Sequence, residues 1–113
     1  MEAEITNYAN AADEADLDAM ENLLRGDPTN LSLLEWIAFL HYTRDNYERA
    51  IELYLQLIAL DCKNEAHYYY LANLYFKTSQ LQQALTNWSK VIEVSPNSKF
   101  AFKARQLYYK HSR

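Results

Sequence analysis

The segment YERAIELY at residues 47–54 returns as LQQALTNW at residues 81–88, about 34 residues further along the chain. Both copies have alanine in the fourth place and an aromatic residue in the eighth. Upstream of them, Ile37-Ala38 and Leu71-Ala72 keep the same spacing. A period of about 34 residues is typical of stacked helical hairpins, each of which buries its apolar face only against its neighbours. The repetition therefore predicts an array of helical hairpins.

The composition agrees with an all-α domain. The chain has 113 residues, of which 50% are hydrophobic, and this is sufficient for one domain with a core. It contains one glycine and two prolines, which is few for a protein built from many strands and tight turns. We therefore predict helices near residues 13–25, 31–43, 46–60, 65–77, 80–93 and 98–110. Capping boxes are predicted at Ser32 with Glu35, Asp45 with Glu48, and Ser79 with Gln82.

At its repeated positions the sequence resembles the tetratricopeptide repeat (TPR) family. The resemblance rests on small residues early in the second helix (Ala50, Ala84), late aromatic residues (Tyr54, Trp88) and the closing Pro96. It implies antiparallel helical hairpins stacked as a right-handed α–α superhelix with a C-terminal capping helix. It also implies a partial repeat at 13–30, repeats at 31–64 and 65–98, and the capping helix at 98–110, which together form a domain at 13–113. Residues 1–12 are then an N-terminal tail or a partial helix.

In that family the first helices of successive repeats line a concave groove that binds protein partners. In this chain the resemblance implies a groove rich in aromatic residues. The predicted contacts are Trp36, Phe39, Tyr42, Tyr69, Tyr70, Asn73, Phe76, Phe100 and Lys103. So many rings on one face favour an apolar or amphipathic peptide segment as the ligand. The alternative is that the rings pack internally and bind no external peptide.

No pattern in the sequence indicates catalysis, a metal or a cofactor. Cys62 is the single cysteine, so an internal disulfide and a cysteine-based metal site are excluded. His41, His67 and His111 are scattered, and we interpret His41 as an interior histidine. Basic residues alternate with aromatic ones in residues 99–113, but the sequence pI of about 5.3 argues against nucleic acid as a partner. No apolar stretch approaches the roughly 20 residues of a membrane span.

The leading hypothesis is therefore a non-enzymatic protein-interaction adaptor in the cytoplasm or another reducing compartment. A second hypothesis is a dedicated secretion-type chaperone for one small helical client, which the size and the groove character resemble. A third is a scaffold that self-assembles through its charged ends. The first thirty residues contain eight acidic residues and one base, Arg25, whereas the last fifteen contain five bases and no acid. This gradient indicates either two solvated helix faces or complementary ends, which would favour head-to-tail association or an oppositely charged partner.

Overall fold

Six helices joined by short turns make up the part of the chain that the computed structural model describes, residues 14–113. They are α1 (Glu14–Gly26), α2 (Leu31–Thr43), α3 (Tyr47–Leu60), α4 (Glu65–Lys77), α5 (Leu81–Val94) and α6 (Lys99–His111). Each helix packs on the next one along the chain, and α4 also contacts α6. The all-α fold predicted from the repeat is confirmed, and the predicted helix limits lie within one residue of the observed ones. The predicted tail at 1–12 lies outside the described residues.

The first helix of each hairpin begins at a side-chain cap. Asn30, Asn64 and Ser98 precede α2, α4 and α6, and each accepts a hydrogen bond from a backbone N–H two or three residues further on, at 3.1, 3.0 and 3.0 Å. Such a cap satisfies one of the free N–H groups of the first turn. The capping box predicted at Ser32 is wrong, because Ser32 lies inside α2, which Asn30 already caps.

The turn between the two helices of a hairpin also differs from its prediction. Asp45 and Ser79 have left-handed backbone angles, with φ of 59° and 64°, and are not helix caps. The residues after them, Asn46 and Gln80, precede α3 and α5 without a side-chain capping bond. Their N–H groups instead donate back to carbonyls of the preceding helix, Asn46 to His41 at 3.0 Å and Gln80 to Tyr75 at 2.8 Å. A left-handed residue at a helix end allows this closing bond and reverses the chain.

Two hydrophobic clusters form the core of the described part. The first lies among α1, α2, α3 and α4 and includes Leu34 and Leu53. The second lies among α4, α5 and α6 and includes Trp88. Ile58 and Tyr75 pack against both clusters and join them.

A charged network fastens α1 to the rest of the array. Arg49 donates from Nε and Nη2 to the two carboxylate oxygens of Glu21, at 2.9 and 2.5 Å. His41 is buried, its Nε2 lies 2.9 Å from Glu21, and its Nδ1 accepts a hydrogen bond from Asn46 Nδ2 at 3.0 Å. The hydrogen bond from Arg49 holds the pKa of Glu21 below its ordinary value, although burial acts in the opposite direction. His41 is therefore a satisfied interior residue that binds α1 to α2 and α3.

Candidate protein-binding surface

The first helices α2, α4 and α6 carry a continuous series of ring contacts. The centroid distances are 6.0 Å for Phe39–Tyr42, 4.8 Å for Tyr42–Tyr70, 5.6 Å for Tyr70–Tyr69 and 5.1 Å for Tyr69–Phe100. We call these five residues the ring surface. Phe39 remains 39% exposed, and the other four are half-buried. Five of the nine predicted groove residues therefore lie together on three helices that are not consecutive in sequence.

A buried tyrosine of α3 packs against two residues of the ring surface. Tyr54 stacks on Tyr70 with centroids 5.6 Å apart and meets Tyr42 edge-on at 6.5 Å. Burial, and secondarily the neighbouring Tyr42, raises the pKa of Tyr70, and burial raises the pKa of Tyr54 far above that of a free phenol. Both phenols are therefore neutral at physiological pH, so the rings offer an apolar surface with neutral hydroxyl groups.

Asn73 connects three helices beside the ring surface. Its Nδ2 donates to the Tyr42 hydroxyl at 3.1 Å, and its Oδ1 accepts from Trp88 Nε1 at 3.1 Å. Both ends of this amide thus have internal partners, which positions Tyr42 relative to the buried indole. Asn73 was predicted as a ligand contact, and the structure gives its side chain a bridging position as well.

Phe76 belongs to a separate group of rings near the end of α6. It lies 5.7 Å from Trp88 and 4.4 Å from His111, and Trp88 and His111 are 5.9 Å apart. His111 was not among the predicted site residues. It lies in the last turn of α6, where the sequence pattern contains no signal of a contact with α4.

The two remaining predicted residues, Trp36 and Lys103, are not part of the ring surface. Trp36 is half-buried against the first cluster and takes part in none of the ring contacts within residues 14–113. Lys103 is exposed three residues after Phe100, a spacing that places the two side chains on one side of α6. Lys77 follows Phe76 at the end of α4, and its Nζ lies 5.5 Å from the Tyr42 ring centroid and 3.8 Å from Asp45 Oδ1. The ring surface therefore has a cation beside it.

The other histidines and acids do not form a reactive cluster in the described residues. His67 is buried with Nε2 2.8 Å from Glu35 Oε2, and its Nδ1 has no hydrogen-bond partner. Across residues 14–113 no three histidine, cysteine, aspartate or glutamate side chains are placed to hold a metal ion. None of the helices described is long and apolar enough to cross a membrane.

Comparisons with known proteins agree with the repeat pattern. A family model described as a tetratricopeptide repeat matches residues 68–98. A general transcriptional corepressor, trfA of Dictyostelium discoideum, is 30% identical over 94 residues. The matched stretch covers 81% of this chain but 7% of the corepressor.

Proposed function

Because this chain belongs to the tetratricopeptide repeat family, we propose that it is a protein-interaction module without catalytic activity, and that its ring surface binds an apolar or amphipathic peptide segment of a partner protein. The observation that supports this most directly is the contiguity of the five rings across α2, α4 and α6. A peptide lying across the three helices contacts all of them at once.

The rings are suited to binding because they are already ordered. Tyr70 is held by contacts with Tyr42, Tyr54 and Phe100, so little side-chain freedom remains to be lost when a ligand binds. Phe39 keeps enough exposed area to be covered by an apolar side chain of the ligand. Aromatic anchors of this kind often contribute about 2 kcal/mol or more each. Lys77 and Lys103 favour an acidic residue next to the apolar anchors.

The wider biological setting is a separate part of the proposal. The related D. discoideum protein is named a transcriptional corepressor, and because the match spans 7% of it we extend only a protein-binding role to this chain. A reducing intracellular compartment suits Cys62, which is an exposed free thiol.

Binding to the ring surface is tested with a peptide probe that is selected from a displayed random library for its affinity to the wild-type chain. We expect Phe39→Ser with Tyr69→Ser to weaken binding of that probe at least tenfold in calorimetry. Leu55→Ser is the matched control, because Leu55 is 46% exposed on α3, a helix that contributes none of the five rings. It should leave the affinity unchanged, and circular dichroism should show equal helicity in all three proteins.

Equal affinity of the probe for the wild type and the double variant would contradict the proposal that the ring surface binds the peptide. Partners purified from cells then distinguish the adaptor from a chaperone. An adaptor yields several partners, whereas one stoichiometric client that is unstable alone would support the dedicated chaperone.

A further inference from the structure

The most exposed large apolar side chains of the described residues lie at the two ends of the array. Leu23 on α1 is 64% exposed, and Phe102 and Tyr109 on α6 are 61% and 68% exposed. The ring surface contains none of them. Each end of the array therefore presents apolar area of its own.

The exposed face of α6 is one that the other first helices bury. By the 34-residue spacing, Phe102 occupies in α6 the place of Tyr68 in α4 and of Leu34 in α2. Leu34 is buried in one cluster with residues of α3, and Tyr68 is buried in one cluster with residues of α5. Within residues 14–113 no helix covers Phe102 or Tyr109 in the same way. This face of α6 therefore offers two exposed apolar side chains that a further helix could cover.

The charges of α6 select the kind of helix that fits. Exposed bases surround the apolar face, namely Lys99, Lys103, Arg105 and Lys110, and α6 contains no acid. Two α6 helices would therefore repel each other. By contrast, α1 contains Glu14, Asp16 and Asp18, besides Glu21, which is paired with Arg49, against Arg25 alone. Of the helices described, α1 has the charge that complements α6.

We propose that α1 of one copy packs on the exposed face of α6 of a second copy. Both helices have 13 residues, a length of about 20 Å. In an antiparallel arrangement Leu23 meets Phe102, and the acidic start of α1 lies beside Lys110 at the end of α6. The helix dipoles are then also antiparallel, which is favourable.

This contact joins two different surfaces, so in a pair one copy keeps an unused α6 face and the other keeps an unused α1 face. Such a head-to-tail interface produces rings if the rotation closes and open chains if it does not. The contact lies outside the ring surface, so peptide binding and self-association can be tested, and can fail, separately.

Sedimentation velocity of the full chain over a concentration series is the first test. We expect the weight-average mass to rise with concentration at low salt, and the association to weaken as salt rises, because ions screen exposed charges. Leu55→Ser, which removes an exposed apolar residue from α3, should associate like the wild type.

Two end variants then test the pairing itself. Phe102→Ser with Tyr109→Ser disables the α6 end, and Leu23→Ser with Asp18→Lys disables the α1 end. All four positions are exposed, so the helical content measured by circular dichroism should not change. Each variant alone should be monomeric. Their mixture should form a 1:1 complex that grows no further, because each partner retains one intact end.

Three results would overturn the proposal. The first is a wild-type chain that stays monomeric at all concentrations in low salt. The second is self-association of either end variant alone at the wild-type level, which would indicate another interface. The third is a mixture of the two variants that remains monomeric.

Discussion

At the scale of single residues, Asn73 is the side chain whose loss should be felt most widely around the ring surface. Asn73→Leu keeps the approximate volume but removes the acceptor of the buried Trp88 Nε1–H and the donor to Tyr42. A buried donor without a partner costs about 1–3 kcal/mol, so the free energy of unfolding should fall by that amount in urea denaturation.

Asn87→Leu is the control for that substitution. Asn87 donates to the carbonyl of Gln83 in its own helix and, within residues 14–113, has no hydrogen bond to another helix. Its replacement should change stability by no more than about 0.5 kcal/mol. Equal losses for the two variants would show that the bridge contributes nothing beyond an ordinary surface hydrogen bond.

At the scale of elements, the hairpin turn contains strain that a glycine would relieve. Ser79 has φ of 64°, a region in which a side chain costs roughly 1–2 kcal/mol and glycine does not. Ser79→Gly should therefore raise the stability by about 0.5–1 kcal/mol, after allowance for the greater freedom of glycine in the unfolded chain. Thermal unfolding should show a midpoint about 2–4 °C higher.

The control substitution places glycine inside the following helix. Gln83→Gly lies at an exposed position of α5 and should lower the stability by about 1 kcal/mol. If glycine destabilises the chain at both positions, then the left-handed angle at Ser79 contributes no relievable strain.

The helices could be predicted from the sequence because their packing positions repeat. Ala50 and Ala84 are both buried, as the repeated small residue in the second helix indicates. The caps could not be predicted, because Asn30 and Ser32 are both good acceptors, and the choice between them depends on where the chain enters the helix. Likewise, serine is a common helix-capping residue, yet Ser79 lies where the chain reverses and has a left-handed φ instead.

For the candidate site, the resemblance to the repeat family implied that Phe39, Tyr70 and Phe100 face one groove, and the structure brings these rings together. The bridge from Asn73 to Trp88 and the contact of His111 with Phe76 had no sequence signal. Both join helices whose separation is set by packing, and periodicity along one helix contains no information on that distance.

At the scale of the whole molecule, the two clusters predict two partly independent units of stability. Ile58 and Tyr75 pack against both clusters, and the ring contact of Tyr70 with Phe100 and the bridge from Tyr42 through Asn73 to Trp88 also connect them. The two clusters are nevertheless built mainly from different helices. In a repeat array, stability is approximately a sum of local terms and interfaces between neighbours. A cavity in one cluster should therefore promote local unfolding mainly of the helices that form that cluster.

Native-state hydrogen exchange tests this arrangement with a pair of substitutions. Leu34→Ala leaves a cavity in the first cluster and should cost about 3 kcal/mol, and Val91→Ala should do the same on a smaller scale in the second. We expect Leu34→Ala to accelerate exchange most in α1, α2 and α3, and Val91→Ala to accelerate it most in α5 and α6. Acceleration by the same factor in every described helix, for both variants, would mean that the two clusters unfold together as one cooperative unit.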